Sequence, residues 1–268
     1  MKIGFFDSGI GGLNVLYEAF LNLPKSTEFV YFADHDNVPY GTKSTDEIRT
    51  LLKNALNFLK SRNCDAIVIA CNTASSVADM DFRHSFALPI VAMEPAIKLA
   101  FDTRKNERIL LCATNATING KKLANLIESL GANCDLIALP QLVEFAQKGE
   151  FEVAKYFINT LGLQNYDIVV LGCTHFNYFK KEMKAANPAL SFIDGDFGTI
   201  KHLANKLNLS LEQADLSENL NANLKQNLSI EKLLEKTQFF ISARSPNDDE
   251  MKFLKLSLKR AKISREIK

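Results

Sequence analysis

Short apolar runs rich in β-branched and aromatic residues alternate along the chain with longer segments whose apolar residues recur every three or four positions. The runs at 2–6, 28–32, 66–70, 108–112, 168–172 and 238–242 predict strands. Helices are predicted over 13–23, 44–62 and 117–130, and a last one opens at Asp248. Strands that alternate with helices build parallel sheets covered on both faces, so the pattern predicts an α/β fold. A second strand-then-polar-turn unit, running from Arg108 to Thr114 and Thr117, suggests a second domain beginning near Pro95. Polar, Asn-rich sequence at 205–226 precedes the strand at 238–242, which is expected to return to the first domain.

Two of the predicted strands end in similar frames. Asp65 opens an apolar run closed by Cys71, Asn72 and Thr73; Asp167 opens one closed by Cys173, Thr174 and His175. Ligands of open α/β sheets gather at the carboxyl ends of the strands, which is where both thiols fall. Cys64, Cys112 and Cys134 lack such polar neighbours and read as small core hydrophobes. Two acid/base groups of one kind, delivered by two similar halves, suit a reaction whose directions are near mirror images, and racemisation is such a reaction.

Composition narrows the partners. A net charge of +1 gives no field to gather nucleic acid or an anionic surface, leaving small molecules. No apolar stretch approaches the roughly 18 residues that span a bilayer, and Asp7 comes too early for a signal peptide; the expected location is the cytoplasm. Five cysteines, an odd number, predict reduced thiols.

The turn Asp7-Ser8-Gly9-Ile10-Gly11-Gly12 follows the first strand and opens a helix, an arrangement suited to a small carboxylate. It is not a nucleotide loop, because Asn14 stands where the last glycine of that motif belongs. Asp7 reads as a general base, a partner for a thiol or a helix cap. The turn ending in Pro39-Tyr40-Gly41 reads as a second carboxylate holder or a surface turn. A thiol with an ordinary pKa of about 8.5 needs help to become a thiolate. Asp7 is placed to help Cys71, and His175 with an acid such as Glu144 to help Cys173. The glycine, PYG and cysteine motifs contain no Lys or Arg, so neutral donors are expected to grip the substrate.

FDSGIGG at 6–12, PYG at 39–41, ACNTAS at 70–76, EPA at 94–96 and LGCTHF at 171–176 together closely resemble the glutamate racemases of bacteria, within the cofactor-independent aspartate/glutamate racemase superfamily. The resemblance runs to about Leu207. It implies two similar three-layer α/β/α domains with mainly parallel sheets and the active site between them. The corresponding division is 1–92 plus 207–268 for the first domain and 93–206 for the second. Cys71 and Cys173 are then the catalytic acid/bases, Cys71 acting on D-glutamate and Cys173 on L-glutamate, with Asp7, Glu144 and His175 assisting. Asp7, Ser8, Tyr40, Gly41, Asn72, Thr73, Thr117, Thr174 and His175 match substrate-binding positions. The resemblance also implies no pyridoxal phosphate or metal, a homodimer, and supply of D-glutamate for peptidoglycan. The sequence departs from the family pattern at 33–37, at Gly120 and Leu123, and at Phe176-Asn177.

Other classes remain open at this point: an aspartate racemase, a binding protein that closes on an amino acid, a metal site from Cys71, Cys173 and His175, and a pyridoxal phosphate racemase. The basic last helix reads as a solvated face with cations near its C-terminus, or as a site for acidic partners.

Overall fold

A computed structural model describes residues 1–94, 96–103, 107–131, 133–212 and 222–267; Pro95 of the EPA motif, much of the Asn-rich stretch and Lys268 lie outside these. Nine strands form two sheets among the described residues. β1 (Lys2–Asp7), β2 (Glu28–Ala33), β3 (Ala66–Ile69) and β4 (Ile90–Ala92) are followed by β5 (Ile109–Ala113), β6 (Asp135–Ala138), β7 (Ile168–Leu171), β8 (Ser191–Ile193) and β9 (Thr237–Ile241). The first sheet runs β4-β3-β1-β2-β9 and the second β6-β5-β7-β8, with every neighbouring pair parallel. The α/β architecture with parallel sheets read from the sequence is the one observed.

The central strands are continuously apolar because helices cover both faces. Phe6, Val30, Ile67 and Ile69 pack against Ile48, Leu52, Leu56 and Leu59 of the helix Thr45–Ser61, whose apolar residues share one face. Each such buried side chain contributes about 1.5 to 3 kcal/mol. That helix begins where Ser44 accepts the Glu47 amide, with Asp46 and Glu47 favourably placed in its first turn. The predicted helix over 117–130 is instead two. Asn115–Ile118 is capped by Thr114, and Lys121–Leu130 starts after Gly120, whose extended backbone breaks the run.

The last helix, Asp248–Glu266, opens with a capping box from Asn247 and Glu250. It is not only a solvated basic face. Leu254, Leu258 and Ala261 are buried, Arg265 pairs with Glu18, and Arg260 bonds Glu182 and the Tyr178 carbonyl while lying over the Phe151 ring. One helix thereby touches elements that serve both sheets. No helix among the described residues is long and apolar enough to cross a membrane.

Candidate active site

The carboxyl ends of β1, β2 and β3 meet those of β5 and β7. Contact across this junction is direct: Thr73 Oγ1 lies 2.9 Å from Thr114 Oγ1, which lies 3.1 Å from Thr117 Oγ1. Glycine allows the approach, since a Cβ on Gly11 would stand 2.4 Å from Thr174 Oγ1 and 2.7 Å from His175 Nδ1. Asn14 Nδ2 donates to the carbonyls of Gly11 and Thr174, and the Tyr178 hydroxyl donates to the Ile10 carbonyl. The glycine turn is therefore held from both sides.

β1 ends in Asp7, fully buried. Its carboxylate accepts the Gly9 amide at 2.7 Å and the Thr174 hydroxyl at 3.2 Å, with Gly11 and Gly12 amides also directed at it. The glycine turn thus directs amide donors at the chain's own carboxylate, in keeping with the cap reading open for Asp7. Burial lifts Asp7 to about 6, against the opposing pull of these donors.

Cys71 follows β3 and caps the short helix Asn72–Val77, its Sγ accepting the Ala74 amide at 3.5 Å and lying 3.4 Å from Ser8 Oγ. Burial, and then the neighbouring Asp7 charge, push this thiol up to about 11, while the Ser8 and Ala74 donors oppose the rise. Cys173 follows β7 and opens the 3-10 turn Thr174–Phe179, its Sγ 3.8 Å from His175 Nδ1. Burial and then charge at Cys71 raise its thiol above the ordinary range. His175 is pushed down to about 3, chiefly by burial, so its ring is neutral near pH 7.

Ser8, Tyr40, Gly41, Cys71, Thr73, Glu144, Cys173 and His175 line one cavity of about 480 Å³, its open mouth included. Asp7 and Thr174 lie beneath that lining and bond to each other. Asn72 and Thr117 line an adjoining cavity, Asn72 with its Nδ2 on Met93 Sδ and its buried Oδ1 unpaired. Tyr40 is fixed by donating to Asp34 at 2.6 Å, and Asn37 donates to the same carboxylate, so the divergent 33–37 loop supports the PYG turn.

Glu144 is exposed at the cavity wall, while the side chain that meets His175 is Gln147, one helical turn further along Pro140–Lys148. Sequence reasoning also missed Thr114; its place after an apolar strand, three residues before Thr117, was the available signal. All five cysteines are free, and among the described residues no group of three or more His, Cys, Asp or Glu side chains is arranged to hold a metal ion.

The profile of the family described as Asp/Glu/Hydantoin racemase matches residues 18–195, two thirds of the chain. The chain belongs to that family. A glutamate racemase of Campylobacter concisus is 46% identical over 231 residues, 82% of this chain and 88% of its relative. Among solved structures, glutamate racemase from Campylobacter jejuni superposes with a TM-score of 0.75 at 26% identity, covering 96% of this chain and 98% of that one. Glutamate racemase from Francisella tularensis, solved with D-glutamate, gives 0.66 at 26% identity, covering 90% and 96%. The likeness to this racemase family therefore spans both sheets.

Proposed function

We propose that the chain interconverts L- and D-glutamate without a cofactor, through Cys71 and Cys173 on opposite faces of the substrate Cα. The observation that carries this reading is that two thiols from separate sheets line one cavity, each with its own partners. The thiolate of one removes the Cα proton, the thiol of the other delivers a proton to the opposite face, and the reverse reaction exchanges the roles. Cys173 acts on L-glutamate and Cys71 on D-glutamate.

Both thiols titrate above neutrality, so one must be helped to ionise. The substrate ammonium is a positive charge that lowers the pKa of a thiol beside it and relieves the repulsion from Asp7. Asp7 assists Cys71 and His175 assists Cys173, with Glu144 at the cavity wall on the second side. Among the described residues no Lys or Arg lines the cavity, so the substrate carboxylates and the developing carbanion rely on neutral donors. Ser8, Tyr40, Gly41, Asn72, Thr73, Thr117 and Thr174 supply them. The enzyme acts as a cytoplasmic homodimer whose D-glutamate enters peptidoglycan, and its two domains are 1–92 with 207–268, and 93–206.

A circular-dichroism time course of dialysed protein, in chelator and without added cofactor, tests the reaction. Signal is expected to decay from L-glutamate and from D-glutamate but not from L-aspartate. That discrimination rests on one methylene, worth about 1 to 3 kcal/mol. Activity on aspartate alone moves the substrate; silence on all three sinks the reading. Cys71→Ala and Cys173→Ala should each lose at least about 100-fold, and near-normal turnover in either refutes the two-thiol assignment.

A further inference from the structure

His175 has two ring nitrogens, and both are engaged. Nδ1 faces Cys173 Sγ at 3.8 Å, and Nε2 lies 2.6 Å from Nε2 of Gln147. An amide nitrogen has only protons to offer, so the ring nitrogen in contact with it must be the one carrying the lone pair. A neutral imidazole has a single N–H, which is then on Nδ1 and directed at the sulfur.

The same amide nitrogen also packs against the glycine turn. A Cβ on Gly9 would stand 1.7 Å from Gln147 Nε2, so the bare backbone of the glycine turn is what leaves room for this side chain. Gln147 Oε1 is buried without a partner. Turning the amide over would leave both NH2 protons at that partnerless position, where the observed orientation leaves one proton and the carbonyl oxygen. Buried donors left without acceptors are rarer than under-satisfied carbonyls, which favours the observed orientation.

We propose that Gln147 is a positioning residue that fixes His175 in the Nδ1–H tautomer, so that the ring donates to Cys173 and stabilises its thiolate. The two thiols are then supported differently: Cys71 by the Ser8 hydroxyl and a helix amide, Cys173 by an oriented imidazole N–H. A carboxylate at position 147 would do the opposite. It accepts only, so it would draw a proton to Nε2 and leave Nδ1 either bare or part of an imidazolium. The consequence for turnover rests on the two-thiol reading, but the tautomer itself does not.

The test is a long-range proton–nitrogen NMR spectrum of protein labelled with 15N-histidine. The chain has only 4 histidines, and the signals lost in His175→Asn assign the ring. The expected wild-type result at neutral pH is Nδ1–H with a bare Nε2. Gln147→Leu should mix the tautomers, and Gln147→Glu should give Nε2–H or imidazolium. Because the two enantiomers have equal free energy, kcat/KM must remain equal in both directions. Gln147→Leu is therefore expected to lower both by the same factor, about tenfold, the scale of one oriented hydrogen bond. A wild-type ring found as Nε2–H overturns the proposal, as does a Gln147→Glu ring that keeps Nδ1–H. Should Gln147→Leu fail to fold, the wild-type and Gln147→Glu spectra still decide. Protein that is silent on glutamate yet shows Nδ1–H refutes the functional reading and leaves the tautomer standing.

Discussion

Asp7→Asn should make the protein more stable at alkaline pH while disabling it. Asp7 is fully buried and its pKa is lifted from 3.8 to about 6. A carboxyl group whose folded pKa lies above its unfolded value binds more protons in the folded state. Its favourable contribution is complete below about pH 4 and is lost as pH rises through about 6. The shift of about 2.2 units corresponds to a penalty of about 3 kcal/mol for holding the ionised group in the fold at pH 8. At pH 5 about half of that penalty, roughly 1.6 kcal/mol, is already present. Asparagine keeps an oxygen for the Gly9 amide and does not ionise, and the Thr174 hydroxyl can reverse to accept from its NH2. The stability difference between Asp7→Asn and wild type should therefore grow by about 1.4 kcal/mol from pH 5 to pH 8. Urea unfolding of both proteins at these two pH values measures it, and racemase assays on the same samples should show activity lost. A difference that stays flat would refute burial as the dominant influence on Asp7, and one that shrinks would mean that its hydrogen bonds win.

Gly11→Ala would place a methyl group 2.4 Å from Thr174 Oγ1 and 2.7 Å from His175 Nδ1, forcing the glycine turn away from the turn after Cys173. It should cost about 1 to 3 kcal/mol, as overpacking does, and lower kcat well beyond what the stability loss explains. Unaltered kinetics would show that the junction is soft. Arg260→Ala removes the partner of Glu182, whose second oxygen is already buried and unpaired, together with a cation stacked on Phe151. A loss of about 2 to 3 kcal/mol is expected, read as a fall in unfolding midpoint of roughly 5 °C or more. No change would assign the helix–turn junction to apolar packing alone.

The strands legible in the sequence were β1, β2, β3, β5, β7 and the edge strand β9. β3, β5 and β7 throughout, and β1 between Lys2 and Asp7, are apolar because both faces are covered, and that pattern survives in one dimension. β4 and β8 have three residues each and β6 exposes half of its residues at a sheet edge, so none carries enough periodicity to stand out. The helical break at Gly120 was hidden by apolar residues that keep their spacing across it.

The chemistry divides in the same way. Both cysteines, with the polar residues that follow them, are set by local sequence, because a buried strand must deliver whatever closes it to the edge of its sheet. The side chain that meets His175 from another helix is not. Glu144 was the nearer chemical match, but helix phase leaves it exposed at the cavity wall and turns Gln147 onto His175 across the glycine turn. The glycine turn's amides likewise meet Asp7, a choice made by the depth at which β1 buries that side chain. Sequence by itself determined which reactive groups exist and which strand end presents each one. Only the tertiary structure decided which of them meet and what burial does to their protons, because those depend on distances across a junction that two separate sheets create.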